Sequence, residues 1–404
     1  MILEKTIERV SEQQRNRIET QDYGLKRELL SNLNLHSSHA LIISGIRRCG
    51  KSTLLMQIIK ELNFKDYIYI NFETPQLYGF SINDFSKLDN IIKKQNSKIL
   101  FFDEIQLIDK WELYIRQKLD EGFQIVITGS NASLLSYELG TKLTGRHITK
   151  ELFPFSYNEF LTFKNLLPSS ESLELYLKTG GFPEYLKSND NEQLSTLFDD
   201  ILIRDIVARY GIKDIRTIQR LSSYLISNAG NKISASKLKQ ALSIGATSTI
   251  LNWLSYLELS YLFLLLPMYS HSVKAQMINP KKVYSIDNGI IEVNSISYTE
   301  DKGRKFENLI FLHLKRLHQE LYYFNFKKEC DFIVMNKNSV GIPVQVCYDL
   351  TNDNINREIE GLLETMRFFN QKKGFIVTFD TTDKILKDDK EIEIIPAYKY
   401  LLKY

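Results

Sequence analysis

Cysteine is scarce in this chain of 404 residues. Cys49, Cys330 and Cys347 are the only three, and no two are spaced as a C-x-x-C pair or a zinc ligand set. That scarcity excludes a disulfide framework and a structural zinc, and it points to a reducing, cytoplasmic setting. Long apolar runs are missing too. The most apolar stretch, Leu257 to Met268, contains Glu258 and is too short to span a bilayer, so no membrane partner is expected. The opening Met1-Ile2-Leu3-Glu4-Lys5 lacks the apolar core of a secretory signal. An excess of either charge is also absent. Lys and Arg number 52 against 49 Asp and Glu, a formal net charge of +3. No global field for a polyanion follows, and any nucleic-acid contact must come from a local patch.

What is present is concentrated in residues 45 to 53. Gly45-Ile46-Arg47-Arg48-Cys49-Gly50-Lys51-Ser52-Thr53 completes the G-x-x-x-x-G-K-[ST] pattern. It follows the apolar run Ala40-Leu41-Ile42-Ile43-Ser44, which reads as a buried strand, and precedes a helical pattern from Thr53 to Ile59. Strand, glycine loop and helix give the pattern its mechanism. The two glycines let backbone N–H groups turn inward around a phosphate, and the helix adds its positive end. Lys51 is expected at the β/γ-phosphates and Ser52 on Mg²⁺, which predicts ATP as the ligand of residues 45–53.

A second motif supports the first. Lys98-Ile99-Leu100-Phe101-Phe102-Asp103-Glu104 is an apolar run ending in two acids, as expected for a strand buried on both faces whose carboxyl end meets a ligand. Asp103 is assigned to the Mg²⁺ and Glu104 to the attacking water. Further strands are expected at Tyr67–Phe72, Gln124–Asn131 and His147–Leu152, separated mostly by helices, which predicts a largely parallel sheet. One strand lies in sequence between the phosphate-loop and Asp103 strands, which fits the additional-strand branch of P-loop ATPases. Ser130 or Asn131 is the candidate γ-phosphate sensor, against a plain Gly-Ser-Asn turn. Asn71 is read as a restraint on Glu104 or as a strand cap. Arg146 is read as an arginine finger toward a neighbouring subunit, or as an ordinary salt-bridge arginine.

Beyond residue 155 the pattern turns helical, with Gly180-Gly181-Phe182-Pro183 as a break. The charged face of Arg204, Asp205 and Arg209 reads as structural. Ile233 to Leu242 and Ala246 to Leu257 read as two short helices around Ser243-Ile244-Gly245, a helix-turn-helix geometry followed by a wing. Ile250, Leu251, Leu254 and Leu257 are expected on its apolar face, and Thr247, Ser248, Thr249 and Asn252 on its outer face. That outer face is poor in Arg and Lys, so the electrostatic signal for DNA is weak. Residues 303 to 380 alternate helix and strand again. Glu307, Asp331 and Gln345 resemble the metal-binding set of a PD-(D/E)XK nuclease core, but Gln345-Val346-Cys347 stands where [DE]-x-Lys belongs. Lys327 and Lys328 are the nearest lysines that migration could bring in.

Together the phosphate loop, Phe102-Asp103-Glu104-Ile105-Gln106, Thr128-Gly129-Ser130, Leu143-Thr144-Gly145-Arg146, Gly180-Gly181-Phe182-Pro183-Glu184 and Glu329-Cys330-Asp331-Phe332 resemble the prokaryotic AAA+-type P-loop ATPases that carry a winged helix and a C-terminal nuclease-like domain. The resemblance implies an α/β fold of four parts. These are an ATPase core (1–155), a helical lid (156–225), a winged helix (226–295) and a PD-(D/E)XK-like α/β domain (296–404). It implies ATP and Mg²⁺ as cofactors and hydrolysis of ATP, with a biological role largely unassigned. The helix-turn-helix geometry and Arg146 add double-stranded DNA and a homo-oligomer as expected partners. Two rival expectations stand beside it: an ATP-gated metal-dependent endonuclease, and a nucleotide-switched scaffold that touches no nucleic acid.

Overall fold

The computed structural model describes residues 2–35, 38–61, 65–130, 143, 145–296, 301–336 and 339–404. They form two compact units, residues 1–153 and 154–404. In the first unit five strands, β1 (Ala40–Ser44), β2 (Tyr67–Asn71), β3 (Ile99–Asp103), β4 (Gln124–Gly129) and β5 (His147–Glu151), make one sheet in the order β2-β3-β4-β1-β5. Every pairing in it is parallel. All five residues of β1 are buried, which is why its sequence is an unbroken apolar run rather than an alternating one. The strand between β1 and β3 in the sheet is β4, so the segment that ends in Thr128-Gly129-Ser130 lies beside both motifs.

Helices α1 (Glu4–Thr20), α2 (Lys51–Glu61), α3 (Phe85–Lys94) and α4 (Trp111–Asp120) flank this sheet. On α1, Ile7, Val10 and Ile18 recur at helical spacing and are buried, packing the helix on β2 and α3. One side of the core is aromatic. Phe85 stacks on Tyr114 at 3.9 Å between ring centroids, and Phe72 meets Phe80, Phe85 and Phe102. Such rings bury large areas and fix the helices' distance from the sheet.

The second unit opens with helices between Tyr157 and Ser227. The Gly180-Gly181 break has a specific cause. A Cβ on Gly180, whose φ is +67°, would lie 2.0 Å from the Asp287 carboxylate, and the Gly181 N–H donates to Asp287 Oδ2 at 2.7 Å. Burial pushes the Asp287 carboxyl up to about 6, with the N–H groups of Gly181 and Gly289 holding it back. Helices Ile215–Ser227, Ala235–Ala241 and Thr247–Leu259 accompany a three-stranded antiparallel sheet of β6 (Lys232–Ile233), β8 (Lys281–Ser285) and β7 (Phe263–Leu266). On Thr247–Leu259 the buried stripe is Ile250, Trp253, Leu254 and Leu257. Leu251, expected on that face, is 55% exposed, because a 100° turn per residue carries it off the stripe.

The chain ends in a mixed sheet. Strands β9 (Glu320–Asn325), β10 (Glu329–Asn336), β12 (Val344–Val346), β13 (Lys373–Thr378) and β15 (Lys390–Pro396) carry it, with β11 (Ser339–Val340) and β14 (Asp383–Lys387) at its edges. Strands β12, β13 and β15 run parallel, while β9 and β10 form a hairpin. Helix Lys302–Leu317 buries His313, whose Nε2 has no hydrogen-bond partner among the described residues.

Burial pushes the His313 imidazole down to about 3, with the Arg316 charge adding to the effect. Above the unfolded value near 6.5 both states are neutral. As the pH falls, only the unfolded chain takes up the proton until the folded value is reached, so stability drops by up to about 1.4 kcal/mol per pH unit. His313→Leu is expected to remove this share of the slope. Denaturant midpoints measured at pH 7.5 and 5.5 for both chains check it, and equal slopes would refute it.

Candidate functional site

The phosphate loop begins where β1 ends. A Cβ on Gly45 would lie 2.1 Å from the Leu152 carbonyl oxygen, so the loop passes too close to the backbone after β5 for any side chain there. Arg48 and Gly50 both have positive φ, +63° and +99°. Turning the backbone this way aims successive N–H groups into one concavity, the geometry that suits an anion. Holding a non-glycine residue such as Arg48 there costs on the order of 1 kcal/mol. Lys51, only 5% exposed, folds back and donates to the carbonyls of Gly45 at 3.1 Å and Ile46 at 3.0 Å. Ser52 and Thr53 follow in the first turn of α2. Arg47 pairs with Glu73 at 3.6 Å, and burial raises the Cys49 thiol above its usual range.

The parallel register brings the second motif alongside. Asn71 pairs with Asp103 across β2 and β3, and Phe102 with Ile127 across β3 and β4, so Asp103 stands next to Thr128. Asp103 is fully buried. Its Oδ1 accepts a short hydrogen bond from Thr128 Oγ1, and its Oδ2 accepts from Tyr69 Oη at 3.1 Å and Asn71 Nδ2 at 3.2 Å. Burial pushes the Asp103 carboxyl up from its ordinary value. Hydrogen bonds from Thr128 and Ser52 pull it back, and the Glu104 charge raises it.

Glu104 sits in the left-handed region at φ 56° and ψ 39°. Its N–H donates to the same Thr128 Oγ1 at 3.2 Å, and its carboxylate accepts from Gln106 Nε2 at 2.5 Å. The restraint on Glu104 is therefore Gln106. Asn71, read from sequence as the alternative restraint, gives its amide to Asp103 and its carbonyl oxygen to the Glu73 N–H at 2.8 Å. The hard oxygen donors Ser52 and Asp103 suit Mg²⁺, and a cation would offset the cost of keeping Asp103 ionised in a buried setting.

Ser130 follows β4 at the carboxyl edge of the sheet and is 9% exposed; Asn131, like Thr144, lies outside the described residues. Arg146 is elsewhere. It precedes β5, its carbonyl accepts from the Ala40 N–H, and its guanidinium pairs with Asp120 and donates to Ser38 O at 3.3 Å. That is the amino end of β1, about 15 Å of strand from the phosphate loop of the same chain. The salt-bridge alternative describes it here.

Four site residues escaped the sequence reading. Thr128 and Gln106 stand inside quoted motifs without a role of their own, and Tyr69 inside an expected strand; the strand register joins Thr128 and Tyr69 to Asp103, and the loop after β3 joins Gln106 to Glu104. Arg27 is the fourth. It is 4% exposed and donates to Cys49 O at 2.8 Å and Phe153 O at 2.7 Å. No local pattern marks it, because its partners are 22 and 126 residues away.

In the second unit Glu307, Asp331 and Gln345 do meet. Asp331 N–H donates to Gln345 Oε1 at 3.3 Å, and Gln345 Nε2 donates to Glu358 at 2.6 Å. Neither lysine suggested by proximity in sequence joins them. The backbone N–H groups of Lys327 and Lys328 donate to Glu364, and Lys328 Nζ pairs with Glu360 at 3.1 Å. The lysine at the acids is Lys282 of β8. Among the described residues no group of three or more His, Cys, Asp or Glu is disposed to hold a metal ion, and no helix is long and apolar enough to cross a membrane.

Residues 37–161 match the model of a family described as an AAA domain, and residues 170–297 match a domain of unknown function. An uncharacterized protein of Methanocaldococcus jannaschii is 38% identical over 394 residues, covering 90% of this chain and 88% of its own. An uncharacterized protein of Haemophilus influenzae is 30% identical over 330 residues, covering 76% of this chain and 82% of its own. Among solved structures, AMPPCP-bound DnaA from Aquifex aeolicus aligns with 57% of this chain and 85% of that one. At 16% identity and a TM-score of 0.28, that likeness carries no argument.

Thr128→Val is expected to cost about 1–3 kcal/mol of stability, because it takes the hydroxyl donor from a buried carboxylate oxygen. Tyr69→Phe should cost less, since Oδ2 keeps Asn71. Denaturant titration of the two variants checks the order, and a harmless Thr128→Val would contradict it.

Proposed function

The chain belongs to the same family as the Methanocaldococcus jannaschii and Haemophilus influenzae proteins and carries an AAA domain at residues 37–161, and from that premise we propose that it binds ATP with Mg²⁺ and hydrolyses it. One observation carries the reading: a loop with positive φ at Arg48 and Gly50 and a buried lysine, beside two adjacent acids, one buried and one bonded to Gln106. The loop amides and Lys51 bind and orient the β- and γ-phosphates. Ser52 and Asp103 would hold the Mg²⁺, which would supply positive charge against the transferred phosphoryl group. Glu104 orients the attacking water and takes its proton, and Ser130 senses the γ-phosphate from the neighbouring strand. Thr128 ties Asp103 to the Glu104 backbone, so metal and water are positioned from one hydroxyl.

The remaining chain supports a second tier of the proposal. The 156–225 helices would serve as a lid. Residues 226–295 would serve as a winged helix, and 296–404 as a nuclease-like α/β module. ATP state would set their positions on double-stranded DNA, in a homo-oligomer, inside the cytoplasm. Ser248 and Asn252 are exposed and Thr247 and Thr249 half-buried on the helix that would face a groove.

Lys51→Ala should abolish ATP binding in a titration with a fluorescent ATP analogue. Glu104→Gln should bind ATP normally and lose at least about 100-fold in turnover, the usual share of a general base. Unchanged turnover in Glu104→Gln would overturn the assignment. For DNA, affinity for a duplex should fall steeply between 50 and 200 mM salt, and ATP turnover should rise when duplex is added. Indifference to duplex in both measurements would favour the nucleotide-switched scaffold.

A further inference from the structure

The second unit contains a buried charge cluster that the ATPase reading does not use. Lys282 Nζ lies 2.8 Å from Asp331 Oδ1, 2.9 Å from Glu307 Oε1 and 3.0 Å from Glu329 Oε1. Its side chain is 5% exposed. Three further donors reach the same carboxylates. Tyr284 Oη donates to Glu307 Oε1 at 2.7 Å, the Val346 N–H donates to Asp331 Oδ2 at 3.0 Å, and Lys232 Nζ donates to Glu329 Oε2 at 2.6 Å. Lys232 and Lys282 are direct partners across β6 and β8. Two like charges opposed in a sheet repel, so this register is sustained by the acids that both lysines grip.

We propose that the Lys282 ammonium is the resident cation of this carboxylate pocket, holding the place a divalent ion takes in a nuclease-like arrangement, so that the module is a lysine-locked, non-cleaving one. Glu307 Oε1 and Asp331 Oδ1, two of the oxygens that would ligate a metal, are the ones the ammonium occupies. A lysine that serves a metal nuclease must stand free of the metal's ligands to support hydroxide, and this one is bound to three carboxylates at once. The lock also has a mechanical result. Lys232 and Lys282 belong to the small three-stranded sheet, whereas Glu329 and Asp331 belong to β10 of the C-terminal sheet and Glu307 to helix Lys302–Leu317. The cluster therefore clamps the small sheet onto the C-terminal module.

The charge count agrees. Two lysines face three acids, leaving one negative charge in excess in a buried site. Burial and the Asp331 charge push the Glu307 carboxyl up to about 7, against the pull of Lys282. For Lys282 itself burial works downward, but Asp331, Tyr284 and Glu307 together hold the ammonium well above the usual lysine range. Were the ammonium removed, the three carboxylate oxygens would need to draw in by roughly half an ångström to meet a Ca²⁺- or Mn²⁺-sized ion.

The test uses the full chain without nucleotide and Mn²⁺ alone as the probe, read by electron paramagnetic resonance and by melting. In the wild type, Mn²⁺ binding should be identical with and without Glu307→Gln. Lys282→Met should melt about 10 °C lower, and millimolar Mn²⁺ should restore part of that loss. Adding Asp331→Asn to Lys282→Met should abolish the recovery. Lys282→Arg keeps the positive charge and should fold without responding to Mn²⁺. If Lys282→Met does not fold while Lys282→Arg does, the need for a resident cation is upheld. A wild-type Mn²⁺ site lost in Glu307→Gln would overturn the proposal. So would a Lys282→Met chain that melts like the wild type, or one that melts lower and ignores Mn²⁺.

Discussion

The first unit depends on the placement of one buried carboxylate. Asp103 closes a strand that is otherwise Ile-Leu-Phe-Phe, and a charge at that depth is costly unless every oxygen finds a donor. The sheet supplies those donors only in its observed register: Tyr69 and Asn71 from β2 on one side, Thr128 from β4 on the other. A slip of one residue in either pairing would turn these side chains to the opposite face. The same requirement that satisfies Asp103 thus brings the ends of β1, β3 and β4 level. The phosphate loop inherits its position from that alignment.

Much of this was legible before any coordinates. The apolar runs, the glycine loop and the acid pair lie within single strands and turns, where spacing and composition speak directly. The parallel five-stranded sheet and the flanking helices follow from that pattern, and the AAA-domain match at residues 37–161 agrees with it. What the sequence could not show is whatever depends on register or on distant partners. Thr128 became a bridge between two acids only when β4 was set against β3. Gln106 displaced Asn71 as the holder of Glu104 because the backbone after β3 turns left-handed, which points the carboxylate along its own loop rather than across to β2. Leu251 was placed on the wrong face because four apolar residues were grouped by proximity, while Trp253 completes the real stripe.

The two units treat buried acids differently. Asp103 is held by neutral hydroxyl and amide donors, which leaves its charge available to a cation. The Glu307, Glu329 and Asp331 group is met by ammonium groups from within the chain. Sequence alone draws attention to both sets for the same reason, carboxylates on facing elements. Only the partners distinguish them, and Lys282 lies on a strand that no nuclease-like motif would include.

Arg27 gives the loop an unexpected dependence. Its planar, rigid head joins the floor of the phosphate cradle at Cys49 to Phe153, the last residue before the chain enters the second unit. One buried donor therefore serves two carbonyls far apart in sequence, and it fixes the turn at residue 49 against the end of the first unit.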